Sequence, residues 1–283
     1  MKNINHYHLQ TAILVLLSFT LGCSEFIIIG ILSDVSNSLK VPISQIGNLV
    51  TIFALIYAVT TLLLTLLLSS FNYYRTLLLL MGGFILSSFL SFLATTYSSL
   101  YISRILTGAV SGPLLSFALI FANLIAPVEK KATVFAWVFS GFSIASVFGV
   151  PLGAWISSIA GWHTVFLTIT IISVVEFILL ALILPSKSKS FYRGSILAQL
   201  ALFKDRRIQI GVLLPFFGSG GIYVIYTYLR PVFTTVLGYS LQEVTVLLFL
   251  YGITTIFSNQ FSGILAHKYG LSKCHGFIYC RQF

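Results

Sequence analysis

Acidic side chains are scarce in this chain. Six Asp and Glu stand in 283 residues against sixteen Lys and Arg, and charged residues of both signs make up only 8%. A soluble domain carries roughly a quarter charged residues. At 58% apolar residues and a mean hydropathy of +1.01, a water-soluble enzyme is excluded. Cysteine is sparse too: Cys23, Cys274 and Cys280 provide no disulfide framework. His267, Cys274, His275 and Cys280 match no common zinc spacing, so no metal site is expected. A glycine loop ending in Lys-Ser/Thr and a His-Glu-x-x-His pair are both missing. That removes an ATP-driven pump and an intramembrane metalloprotease, and no cofactor is expected.

What the chain has instead is long apolar runs. A hydrocarbon layer of about 30 Å needs roughly 20 such residues per helix. Eight stretches qualify: residues 9–33, 43–69, 77–96, 101–126, 133–158, 165–184, 208–229 and 244–266. The expected fold is an all-α polytopic membrane protein. With the amino terminus inside, thirteen basic residues fall on the cytoplasmic side and two, Lys40 and Arg230, outside, with Arg104 within a span. The positive-inside rule then places both termini in the cytoplasm. The surplus of positive charge reports topology, so nucleic acid is not an expected partner, whereas membrane lipid is. Lys2, His6 and His8 precede a run too long for a cleaved signal, so the first helix is read as retained.

The longest polar gap, residues 185–207, divides six spans from two, and its apolar middle, residues 196–203, fits either a short surface helix or a linker. Leu39, Val41, Ile43, Ile46, Leu49 and Val50 match Leu237, Tyr239, Leu241, Val244, Leu247 and Leu248 at a constant offset of 198. This suggests parallel six-helix halves, the second lacking four helices. The organisation read is a bundle over 1–185, a cytoplasmic loop over 186–207 and a partial second bundle over 208–283.

Charges inside spans carry the chemistry, because an ionised group at the bilayer centre costs on the order of 3 kcal/mol or more. Glu25 lies deep in the first span, where loss of water pushes a carboxyl toward holding a proton. Asp34 sits near the outer end of the same span, with a capping or interface role as its other reading. Arg104 needs a carboxylate partner, and Glu25 and Asp34 are the candidates. Arg104 also begins a four-residue row with Gly108, Gly112 and Ser116, a flat ridge for close helix packing. A second ridge, Gly141, Ala145, Gly149 and Gly153, is bent by Pro151. Close packing and a sliding interface both use such residues. Tyr223 and Tyr226, following Gly218, Gly220 and Gly221, offer flat faces for a planar ligand, and Phe26 joins them as a candidate substrate contact. Glu176, embedded among apolar neighbours in the sixth span, has no assigned role.

Several of these pieces resemble the drug/proton antiporter group of the major facilitator superfamily, and most closely its bacterial purine-nucleoside and sugar efflux members. They are Ser24-Glu25-Phe26 with Gly30-Ile31-Leu32, Arg104 with Gly108 and Gly112, Gly141-Phe142-Ser143 through Gly149-Val150-Pro151-Leu152-Gly153, and Gly161-Trp162 before Phe166. The resemblance implies a major facilitator helical bundle, here a complete first half and two helices of an incomplete second. It implies a monomer in a bacterial inner membrane that exports a small solute in exchange for protons, the proton gradient being the driving force. By it Glu25 falls on the group's first-helix acid, Arg104 on the fourth-helix arginine motif and residues 149–153 on the antiporter motif. Two cytoplasmic gate segments depart from the family pattern: Asn72 stands at the acidic place before Arg75, and His267 stands at the acidic place before Lys268. The expected function is proton-coupled efflux of small solutes or drugs, impaired by truncation, with Glu25 and Arg104 left facing lipid or water. The rival reading is a non-transporting remnant or a subunit of a membrane assembly.

Overall fold

A computed structural model describes residues 2–186, 204–240, 242–251 and 253–254. These residues are helical almost throughout. The helices are α1 (Lys2–Gly30), α2 (Leu32–Leu39), α3 (Ile43–Leu68), α4 (Tyr73–Phe92), α5 (Tyr97–Ile125), α6 (Lys131–Ala160), α7 (Trp162–Ile183), α8 (Arg206–Pro231) and α9 (Gln242–Tyr251). Among the described residues six helices are long and apolar enough to cross a membrane. In hydrocarbon every backbone N–H and C=O must be satisfied within the chain, and a helix achieves this without a partner. Buried hydroxyls follow the same rule: on α5, Thr107 donates to the Ser103 carbonyl and Ser111 to that of Thr107, both at 2.7 Å.

Polar caps set the boundaries. The Asn72 side chain accepts from the Arg75 N–H at 3.1 Å and opens α4. Thr96 and Ser99 form a reciprocal capping box that opens α5. Both helices therefore begin about four residues earlier than their apolar runs, because the cap and first turn are polar. Gly161, at φ +83°, allows the sharp turn between α6 and α7.

The first span is not one helix to residue 33. It breaks at Ile31, whose N–H donates back to the Ile28 carbonyl at 3.2 Å. At this break Gly30 lies directly against the Val150 carbonyl of α6, ahead of Pro151. Asp34 consequently sits in the first turn of the separate helix α2.

Helix α1 is the axis of the bundle. It touches α3, α5, α6, α7 and α8, and Leu14, Leu17, Leu21, Ile28 and Ile29 are fully buried along it. Its closest partner is α6, and both glycine ridges act as contact surfaces. Gly141 lies against the Val15 carbonyl, and Gly149 against Phe26 and Cys23. On the other side α3 lies along α5, where Gly108 faces the Phe53 carbonyl and Gly112 that of Tyr57. The close approach that small residues permit is thus realised on both ridges. Residues 196–203, and the larger part of the eighth apolar stretch, lie outside the described residues.

Candidate functional site

The site is built where α1, α3 and α5 meet. Arg104 is 1% exposed. Its Nη1 donates to the Ser24 carbonyl at 3.1 Å, and its guanidinium carbon stands 4.3 Å from the Phe53 ring centroid. Its Nε and Nη2 have no hydrogen-bond partner among the described residues. Burying a cation costs several kcal/mol. A charged hydrogen bond returns about 1.5–3 kcal/mol and a desolvated cation–π contact about 2, so a nearby negative charge is needed to complete the balance. Glu25 acts electrostatically on Arg104 and on Tyr57 of α3.

Glu25 differs from its neighbours. From Leu21 to Leu32 every residue is buried except Glu25, which is half-buried. A carboxyl that keeps an open side thus stands within electrostatic range of a fully enclosed guanidinium. The expectation that both groups face lipid or water is corrected for Arg104, which is buried within the described residues, with the Ser24 carbonyl and the Phe53 ring among its contacts.

Asp34 is elsewhere and is not a partner of Arg104. It pairs with Arg230 at the end of α8, with Nη2 to Oδ1 at 3.2 Å, and accepts from Ser157 Oγ of α6 at 2.6 Å. Arg230 was counted with the outside loops by sequence, yet its side chain is 2% exposed. Sequence reasoning missed it because the apolar run ends just before it. The usable signal was scarcity: Asp34 is one of six acids in the chain and lies on the same side as this arginine.

Two of the proposed substrate contacts, Phe26 and Tyr226, are packed against other side chains of the protein. Phe26 is buried, edge-on to Phe142 at 5.6 Å. Tyr226 is buried, stacks on Tyr251 at 5.3 Å and donates its hydroxyl to the Ser146 carbonyl at 3.2 Å. Tyr223 lies on the same helix, its side chain outside the described set. Of the gate residues, Asn72 is engaged as a helix cap and Arg75 is exposed, while His267 and Lys268 lie outside the described residues. Glu176, which had no role by sequence, is fully buried and accepts from Thr20 Oγ1 at 2.6 Å across the α1–α7 contact.

A family model described as Major Facilitator Superfamily matches residues 14–277. The chain belongs to the Major Facilitator Superfamily. It is therefore a member of a transporter family and not an enzyme, with a multi-pass helical membrane fold. Its relatives include the uncharacterized MFS-type transporter YbcL of Bacillus subtilis, 32% identical over 259 residues that cover 92% of this chain and 66% of the relative. The inner membrane transport protein YdhP of Escherichia coli is 29% identical, with 92% and 67% covered. Among solved structures, a bacterial homologue of the human lysosomal transporter Spinster, inward-facing and unoccupied, aligns with a TM-score of 0.74 at 17% identity, covering 93% of this chain and 63% of that one. The nucleoside transporter NupG aligns at 0.70 and 15% identity, covering 94% and 69%. These structural likenesses show the fold. The chain spans about two thirds of the length of the curated relatives it matches.

Proposed function

We propose that this chain is the larger part of a proton-coupled carrier that exports small solutes, nucleosides, sugars or planar drugs among them, from a bacterial cytoplasm across the inner membrane. Both termini would lie inside, following the basic asymmetry of the loops. The observation that carries the reading is the contrast at the α1–α5 contact: Glu25 is half-buried in an otherwise buried run, and Arg104 beside it is enclosed. Glu25 takes up and gives up the proton. Arg104 supplies a positive charge that is present in one state of the cycle and compensated in another, so substrate binding and proton binding compete through it. The drug/proton antiporter motifs around Gly149 and Pro151 support export over import.

The test is proton release on ligand binding. Purified protein in a weakly buffered detergent solution is mixed with adenosine, guanosine, xylose or ethidium, and pH is followed with an indicator dye. A ligand that binds is expected to release a proton from the parent and none from Glu25→Gln. Equal release from both would remove Glu25 from the role.

A further inference from the structure

Glu176 is an embedded acid that the transport reading leaves unused. It is fully buried in α7, and its Oε1 accepts from Thr20 Oγ1 of α1 at 2.6 Å. Its Oε2 has no hydrogen-bond partner among the described residues, and neither has the buried Ser173 hydroxyl one turn earlier on the same face of α7. An ionised carboxylate in such a place must be paired with a cation or held by several donors. The helices packed most closely against α7 are α1, α4 and α6, and none brings a cation to Glu176. On α4 and α6 the basic residues are Arg75 and Lys131, each exposed in the first turn of its helix. On α1 the last basic residue is His8, twelve residues before Thr20, and on α7 it is His163, thirteen before Glu176. Those separations are about 18 and 20 Å along a helix. Cys23 of α1 is within electrostatic range of Glu176, but a thiol offers no positive charge.

We propose that Glu176 is a second proton site of this protein, separate from Glu25, and that it holds its proton as the neutral acid while α1 and α7 are in contact. The proton supplies what the surroundings leave short. With Oε2 carrying it, Oε1 is the carbonyl oxygen that accepts from Thr20, and what stays unpaired is a neutral hydroxyl, far less costly than an unpaired charge. Thr20 and Glu25 are five residues apart on α1, which turns them to different sides of the helix. Thr20 meets α7, while Glu25 stands within electrostatic range of Arg104 on α5. One helix thus carries a half-buried carboxyl on one side and closes another against its neighbour on the other. A proton on Glu25 can exchange while the one on Glu176 stays.

The test is the infrared absorption of the chain in lipid nanodiscs at about neutral pH, where exposed carboxyls are ionised. A protonated carboxylic acid shows a C=O stretch clear of the carboxylate and amide bands. The parent is expected to show such a band, with a component that Glu176→Gln loses and Glu25→Gln keeps. Thr20→Val removes the donor to Oε1 and is expected to move that component to higher frequency. Glutamine has the shape of the neutral acid, so Glu176→Gln is expected to fold; should it not, the shift in Thr20→Val decides by itself. No such band in the parent, a band that folded Glu176→Gln leaves intact, or one that Thr20→Val does not move would overturn the site. The readout needs neither substrate nor proton gradient, so it fails or succeeds independently of the role given to Glu25.

Discussion

One substitution, Gly→Ala, made at four helical glycines separates tight helix contacts from open surface. In a helix interior Ala is more favourable than Gly by about 1 kcal/mol. A Cβ at Gly82 of α4 meets nothing within 4 Å, so Gly82→Ala should stabilise by up to that amount. A Cβ at Gly149 meets the Phe26 Cβ at 3.3 Å and the Cys23 Cα at 3.5 Å. Those neighbours give only slightly, which leaves Gly149→Ala near neutral. At Gly108 the new carbon would stand 2.8 Å from the Phe53 carbonyl oxygen, and at Gly112 2.9 Å from that of Tyr57. Backbone cannot rotate away as a side chain does. Overpacking costs about 1–3 kcal/mol, so after the helix gain these two variants should lose roughly 0–2 kcal/mol, and α3 should be pushed off α5. Thermal unfolding in a mild detergent, followed by tryptophan fluorescence and by recovery of the monodisperse peak, reads all four. The ordering expected is Gly82→Ala above the parent, Gly149→Ala level with it, and Gly108→Ala and Gly112→Ala below. If Gly82→Ala destabilises as much as Gly112→Ala, the ridge is not what brings these helices together.

Three further outcomes are expected. Thr20→Val removes the hydroxyl that donates to buried Glu176 at 2.6 Å and should cost about 1–3 kcal/mol, read in the same melts. Glu243 accepts from the Ser240 N–H and hydroxyl, both at 2.8 Å, which holds its carboxyl below the ordinary 4.5. Its capping contribution is therefore complete above about pH 4.5 and lost as pH falls through the lowered value, so the protection of the Ser240 amide, taken relative to its intrinsic exchange rate at each pH, should fall in acid in the parent but not in Glu243→Gln. Reporter fusions after Arg207 and after Phe283 should both report cytoplasm, and an exterior signal from either would overturn the orientation.

The helical membrane fold was legible because its cause is crude: apolar runs of about 20 residues leave a bilayer helix as the only satisfied arrangement. Helix starts were misplaced at Tyr73 and Tyr97, since hydropathy does not register a polar cap. The glycine ridges were legible as spacing, but not which helix each would meet. Glu25 and Arg104 stood out because charge in a span is rare. Phe53 did not, because a phenylalanine in an apolar run gives no sign that it will lie under a guanidinium. The pairing of Asp34 with Arg230 joins residues 196 positions apart, a distance over which local pattern says nothing. Asn72 is the instructive departure: the amide at the place of an acid retains the helix cap, which needs only an oxygen that accepts an N–H.

The central claim is that Glu25 couples a proton to solute movement. It is tested most directly in vesicles under an imposed pH gradient, with the chain joined to the final third of its Bacillus subtilis relative and with adenosine, guanosine, xylose and ethidium as probes. The account predicts gradient-driven flux of at least one probe in the parent. It predicts that Glu25→Gln loses that flux while still exchanging the same probe across the membrane when no gradient is present. Gradient-driven flux that survives in Glu25→Gln, or none for any probe in the parent, would contradict it.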